Sequence, residues 1–301
     1  MHSHNFLETI KRRVVLFDGG MGSMLIAAGL TQREIPEAWV LSKAEKIGEV
    51  HAAYLDAGAE IVTTATFGAS RLKLQSSEAG KKLDPAMVNE KAVEIARKAV
   101  ERSGKRERFV AGDIGPTGLF FSPVGTLKAG DARAAFREQA QALERAGVDL
   151  FIIETMYDIR EAVEALRAVR EVSGLPSVVT LTFDRKPRGF FTMMGDMTDK
   201  AVETLIAEGA SVLGANCTRQ SGEMIELAEE FRLLTEAPLL FQPNAGRPVM
   251  EHGMPVYKQR PREFAEDAVK IVAAGANAVG GCCGTTPEFI REVRAALVHG
   301  K

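Results

Sequence analysis

The sequence is short of cysteine, of aromatic residues and of any surplus of one charge. Three cysteines among 301 residues are too few, and too oddly numbered, for a disulfide framework, so thiols that stay reduced are expected. Thirty-eight Lys and Arg stand against 40 Asp and Glu. That balance leaves no basic excess to hold a phosphate backbone and argues against a nucleic-acid partner. No stretch approaches the roughly 18 uninterrupted apolar residues of a membrane span. The N-terminal MHSHNFLETIKRRVVLF carries charges where a signal peptide needs its apolar run, so a cytoplasmic protein with no membrane partner is expected. With 46% hydrophobic and 26% charged residues, disorder is excluded as the main state.

What is present is an alternation of short apolar runs with helical stretches, repeated eight times. The runs are Val14 to Phe17, Ile61 to Thr64, Phe109 to Asp113, Leu150 to Glu154, Val178 to Phe183, Val212 to Cys217, Leu239 to Gln242 and Ala276 to Gly280. Each is continuous, as a strand buried on both faces should be. Between them lie amphipathic stripes such as Ile47, Val50, Tyr54, Ala57 and Val88, Ala92, Ile95, Ala99, able to cover a parallel sheet. No composition break or Gly/Ser linker divides the chain. The expectation is a single α/β unit over residues 1–301, a (β/α)8 TIM barrel, with a short helical segment at about 3–12.

A weak internal repeat runs through alternate units. AGAE at Gly58, AGVD at Gly147, EGAS at Gly209 and AGAN at Gly275 each suit a helix C-terminus, where Gly supplies a left-handed turn into the next strand. Seven residues beyond these glycines stand Ala65, Glu154, Asn216 and Cys282; eight beyond stand Thr66, Thr155, Cys217 and Cys283. In register, these residues would ring the C-terminal mouth, where barrel active sites are built. Shared strand-to-helix geometry explains the glycines equally well, but not the chemistry that follows them.

All three cysteines fall at that mouth, Cys217 in GANC and the adjacent pair Cys282 and Cys283 in GGCCG. Three thiolates hold zinc and leave a fourth position for an outside ligand, the pattern of a catalytic site. Adjacent ligands need a bend, which Gly280, Gly281 and Gly284 can permit. Packing as small buried hydrophobes is the bland alternative; a vicinal disulfide is disfavoured in a reducing compartment. A thiolate-rich zinc is a poor Lewis acid toward water, yet an incoming soft thiol still binds it and loses its proton. Thiol substrate and alkyl transfer to sulfur are therefore expected.

FDGGMGSML at 17–25, DIGPTG at 113–118, GANC at 214–217, PNAGRP at 243–248 and GGCCGTTP at 280–287 closely resemble the homocysteine S-methyltransferase family. The match runs in order along nearly the whole chain. Within the family the chain is most similar to the homocysteine-binding module of cobalamin-dependent methionine synthases. The resemblance implies zinc on Cys217, Cys282 and Cys283, homocysteine as the zinc-bound thiol, and methyl from methylcobalamin. It also places Asp18 and Glu154 at the substrate ammonium, Gly19 and Gly20 at its carboxylate, and Asn216, Thr64 and Thr66 beside the substrate. Two carboxylates facing one cation would also fix its distance from the metal.

Two departures qualify this reading. TTATF has Ala65 where the methionine synthase pattern usually has Asn. The chain also ends at Lys301 without folate-binding or cobalamin-binding modules, so a corrinoid protein, or the rest of a longer chain, would deliver the methyl. A betaine or sulfonium donor ranks second, since quaternary ammonium ligands favour aromatic cages and the sequence has one Trp and three Tyr. Trp39 reads as a packing anchor in the loop after the first strand. Two rival classes remain: a barrel enzyme whose GGCCGT loop cradles phosphate, and a non-catalytic zinc scaffold. His2, His4, His51, His252 and His299 show no clear role, and RKPRG at 185–189 reads as a solvated loop.

Overall fold

All eight apolar runs become strands of one parallel sheet in the computed structural model, which describes residues 3–217, 220–251 and 254–299. The strands are β1 (Val15–Leu16), β2 (Ile61–Thr63), β3 (Phe109–Ile114), β4 (Leu150–Met156), β5 (Ser177–Leu181), β6 (Val212–Asn216), β7 (Leu239–Gln242) and β8 (Ala278–Val279). Each pairs in parallel with its sequence neighbours. β1 pairs with β8, and a parallel bridge from Phe17 to Ile61 joins it to β2. The sheet thus closes on itself, a (β/α)8 TIM barrel.

Eight helices follow the strands: α1 (Ala44–Ala57), α2 (Pro85–Ser103), α3 (Ala129–Ala146), α4 (Ile159–Val172), α5 (Thr198–Ala207), α6 (Ser221–Leu234), α7 (Pro261–Ala273) and α8 (Pro287–His299). Their apolar stripes, including Ile47, Val50 and Tyr54 on α1, are buried. Among the described residues no helix is long and apolar enough to cross a membrane. The glycines of the internal repeat are left-handed, with φ of +111° at Gly58, +89° at Gly147, +89° at Gly209 and +111° at Gly275. The repeat therefore marks one turn geometry at every second unit.

Two cores result. One lies between helices and sheet; the other fills the barrel with inward side chains such as Phe17, Ile61, Ile152 and Val178. The helix Ser3–Arg12 closes the lower end, inserting Phe6 and Ile10 into this inner core. Phe6 meets Phe17 and Phe109 edge-on, at 6.5 and 5.9 Å between ring centres, the arrangement aromatic pairs prefer. The lower end is plugged, so only the C-terminal mouth is left to hold a site.

Several boundaries differ from the sequence reading. β6 stops at Asn216, because Cys217 takes φ +53°, and β5 stops at Leu181, short of Phe183. Trp39 stands on a short helix, Pro36–Ser42, where a loop was expected. It is an anchor there, 1% exposed, with Nε1 donating to Glu34 at 2.9 Å. RKPRG forms the tip of a hairpin, Asp184–Lys186 with Gly189–Phe191. A second hairpin, Pro248–Glu251 with Met254–Tyr257, escaped the sequence reading altogether. His2 and His252 lie outside the described residues.

Candidate metal centre and substrate cavity

Cys217 turns its thiol inward only because its backbone enters the left-handed region, unusual for a residue with a side chain. Its N–H donates to Gln242 O at 3.2 Å, which holds that turn. The cysteine pair after β8 is fixed from the β7 side: Cys282 N donates to Pro243 O at 2.8 Å and Cys283 N to Asn244 Oδ1 at 3.0 Å. Asn244 also donates Nδ2 to Cys217 O at 3.4 Å, so one amide braces both cysteine loops. Gly284 has φ +80°, and a Cβ there would lie 2.2 Å from the Tyr257 ring. The glycine lets the second hairpin close over the cysteines.

The three sulfurs lie within 4.8 Å of one another, with Cys217 Sγ and Cys283 Sγ 3.7 Å apart. Tetrahedral zinc with bonds of about 2.3 Å requires sulfur–sulfur edges of about 3.8 Å. The donor set thus fits zinc, and among the described residues no His, Asp or Glu joins the cluster. Hydrogen bonds from Cys217 and Cys282, with a further one from Tyr257, hold the Cys283 thiol down to about 3. Hydrogen bonds to Cys217 and Cys283, then burial, push Cys282 well above the usual thiol range. One negative charge thus settles easily on the cluster, whereas three need a cation.

Beside the sulfurs opens a cavity of about 230 Å3, smaller than the roughly 300–1,000 Å3 of drug-sized sites. Cys217, Cys282 and Cys283 line one side; Glu154, Asp113 and Glu37 line it elsewhere, and among the described residues no Lys, Arg or His does. Larger clefts exist, one of about 920 Å3 around Arg97 and Arg108, but they open between helices and at the plugged end of the barrel. Burial, with Asp18 and Cys283 adding repulsion, raises Glu154 to about 8. Asn216 Nδ2 reaches Glu154 Oε2 at 3.1 Å and lies 3.9 Å from Cys282 Sγ. Asn216 Oδ1 accepts from Thr155 N at 2.7 Å. Asn216, seven beyond Gly209, therefore touches both Glu154 and Cys282, seven beyond Gly147 and Gly275, while Ala65, seven beyond Gly58, lines the cavity without a polar group.

The other sequence-derived candidates are distributed unevenly. Gly19, Gly20 and Thr64 line the cavity. A Cβ on Gly20 would lie 2.6 Å from Cys282 O, so the glycine is needed for this loop to approach the cysteines. Asp18 is 1% exposed, is not among the cavity-lining residues, and accepts from Thr63 N and Thr63 Oγ1 at 2.8 and 2.5 Å. Burial, opposed by those bonds, raises it to about 7. Thr66 is fully buried, with its hydroxyl on Asp113 O at 2.7 Å and on Thr64 Oγ1 at 2.7 Å. Sequence reasoning passed over Asp113, Glu37, Asn244 and Tyr257. The first and third stand inside the quoted motifs DIGPTG and PNAGRP, which was the available signal.

The loop after β8 does not offer a phosphate cradle. Its N–H groups are already taken: Gly281 by Asp18 O, Cys282 by Pro243 O, Thr285 by Cys282 O, Cys283 by Asn244 Oδ1 and Gly284 by Ser23 Oγ. An anion needs free donors, so the phosphate-binding rival loses its site.

Comparison with known proteins agrees with this geometry. The chain is 29% identical over its full length to the methionine synthase of Mycobacterium tuberculosis and 29% identical over 98% of its length to that of Mycobacterium leprae. It spans about a quarter of these relatives, 26% and 25%. Among solved structures it superposes on the metallated form of the homocysteine methyltransferase MmuM from Escherichia coli with a TM-score of 0.80 and 25% identity, covering 98% of this chain and 99% of that one. Residues 15–297 match the family model described as homocysteine S-methyltransferase. With cysteine loops, cavity and barrel all inside the matched span, the chain belongs to the homocysteine S-methyltransferase family.

Proposed function

We propose that this barrel, residues 1–301, transfers a methyl group to the thiol of homocysteine, giving methionine, with zinc held by Cys217, Cys282 and Cys283. The observation that carries the reading is a three-sulfur cluster of zinc-compatible spacing opening onto a small cavity with acidic residues in its wall. Zinc, when bound, would keep a coordinated thiol deprotonated and nucleophilic at neutral pH. The chain's own residues do the rest. Glu154, set by Asn216, faces the amino group; the Gly19–Gly20 turn lets main chain approach the carboxylate; the closed lower end leaves the mouth as the route for a donor. Asn216 is a positioning residue, since it touches both Glu154 and the sulfur side.

For the donor we favour methylcobalamin carried by a corrinoid protein or module. Support comes from the two relatives named methionine synthase, of which this chain spans a quarter. The cavity wall supplies a second argument: Phe67 is the one aromatic residue among its lining residues, and Trp39 is buried away from it. An aromatic cage for betaine or a sulfonium ion is thus missing among the described residues. Free thiols at the site suit a reducing, cytoplasmic compartment.

The test is methionine formation from homocysteine by the zinc-loaded chain, with free methylcobalamin, betaine or a methylsulfonium compound as donor. Methylcobalamin should support turnover, and Cys282→Ala should abolish it together with stoichiometric zinc. Turnover with betaine or the sulfonium alone would overturn the donor assignment. Zinc at one per chain with no methionine from any donor would overturn the function.

A further inference from the structure

Around the barrel, arginines take a carboxylate each: Arg71 has Glu138, Arg97 has Asp149 and Arg145 has Glu90. At the plugged lower end three share one. Glu60, just before β2 and 3% exposed, meets Arg13 Nη1 at 2.6 Å, but Arg108 and Arg294 only at 3.9 Å. Its Oε2 also accepts the N–H of Leu16 at 3.1 Å. The neighbouring acid, Glu107, accepts from Arg13 Nη2 at 3.1 Å. Arg13 is thus satisfied twice, while Arg108 and Arg294 are left at the edge of the pair.

Arg108 is the least settled of the three. Its side chain is 13% exposed, Nη1 donates to the carbonyls of Arg106 and Glu107 at 3.1 and 3.2 Å, and Nε is buried with no hydrogen-bond partner. A buried donor without an acceptor is costly and calls for an explanation. Burial, with repulsion from Arg294 and Arg13 working against the attraction of Glu60, pulls the guanidinium below its ordinary value. The adjoining backbone is strained as well, since Glu107 takes φ +53°, a left-handed conformation uncommon for a residue with a side chain. Arg294 is set in place from α1: a Cβ on Gly58 would lie 2.9 Å from Arg294 Cγ, so its stem rests on a residue with no side chain to displace it.

Arg13, Arg108 and Arg294 line a cleft of about 840 Å3, within the roughly 300–1,000 Å3 of small-molecule sites. The wall supplied by α7 and α8 is aliphatic, with Val269, Val272, Leu297 and Val298, the last 56% exposed. Open apolar surface beside under-neutralised cations suits a ligand with two unlike ends. Guanidinium forks match the paired oxygens of carboxylate and phosphate alike, so the charge balance decides between them. Three arginines against Glu60 and Glu107 leave a surplus of one, because Arg12, the fourth arginine of the lining, has Glu8 at 3.8 Å. A carboxylate neutralises that surplus, whereas a phosphate monoester, at about −1.5 to −2, overshoots it.

We propose that this cleft is a second binding site, which takes an aliphatic carboxylate with its head between Arg108 and Arg294 and its chain along α7 and α8. It lies at the opposite end of the barrel from the cysteines and stands whether or not the mouth takes homocysteine. Arg12 and Arg13 end and follow the helix that plugs the barrel, so the bound anion would tie that plug to α8.

The test is calorimetric titration of the zinc-loaded chain with octanoate, acetate and octyltrimethylammonium, which keep in turn both ends, the head alone, and the tail with the wrong charge. Octanoate should bind at one per chain and at least about 100-fold more tightly than acetate, since two buried methylenes are worth about tenfold. Octyltrimethylammonium should not bind. Arg294→Gln, at a side chain 45% exposed, should weaken octanoate by roughly 10- to 100-fold, the scale of a hydrogen bond to a charged group, with zinc still at one per chain and an unchanged far-ultraviolet spectrum. Val298→Asp, which sets an acid beside the aliphatic chain, should weaken it too. Octanoate and octyltrimethylammonium binding alike would reveal adsorption to apolar surface, octanoate affinity unaltered in both variants would place the ligand elsewhere, and absence of octanoate binding would leave the arginines a structural cluster; each overturns the proposal.

Discussion

Tyr257 reaches the Cys283 sulfur with its hydroxyl while its ring packs on Gly284, so one side chain links the outer hairpin to the metal centre. Outer hydrogen bonds of this kind orient metal ligands and are worth about 10- to 100-fold in affinity. Tyr257→Phe should weaken zinc by roughly 10-fold in chelator competition with the fold intact; unchanged affinity would show that the contact does not hold the ligand. Glu154 carries a second prediction at this scale. Its carboxyl lies near 8 in the folded chain, raised first by burial, against about 4.3 when unfolded. Protonated Glu154 therefore favours the fold fully below about pH 4, and that contribution is lost as pH rises through 8. In metal-free protein, Glu154→Gln should become progressively more stable relative to wild type from pH 5 to about 9, seen as a growing difference in Tm. Parallel curves would contradict the buried charge. Cys217, Cys282 and Cys283 were legible in the sequence because a rare residue type concentrated at one end of a repeat carries its chemistry openly. Tyr257 was not, since its distance from the cysteines depends on a hairpin that no short motif announces.

Strands and barrel helices were legible from their apolar runs because burial on both sheet faces leaves no polar positions to confuse the period. Their ends were less so. The turn at Cys217, with φ +53°, breaks β6 one residue early through backbone strain that composition does not encode. The two hairpins were missed because strands of 3 and 4 residues, one of them exposed throughout, show no apolar alternation. Close approach between strands yields its own prediction. A Cβ on Gly214 in β6 would sit 1.7 Å from Leu240 O on β7, a backbone atom that cannot swing aside. Gly214→Ala should cost at least about 2 kcal/mol, at the upper part of the overpacking range, and lower Tm by several degrees. An unchanged Tm would mean that β6 and β7 can separate without loss.

For the molecule as a whole, the fourfold glycine repeat disclosed barrel symmetry and hence which residues share a height. What it left hidden was division of labour around the mouth. Sulfurs after β6 and β8 share one cavity with acids of β3 and β4, an arrangement that complements the two ends of the thiol amino acid proposed as substrate. Asp18, which the resemblance places at the ammonium, accepts from Thr63 N and Oγ1 in the chain described, while Asp113 lines the cavity with an unpartnered oxygen. Sequence spacing does not separate these two acids, because both stand at the end of an apolar run and shortly before glycine. The most direct measurement is X-ray absorption at the zinc edge of the loaded chain, without and with homocysteine. The account predicts three sulfur neighbours alone and four with homocysteine bound. A sulfur count that stays at three under saturating homocysteine would contradict it.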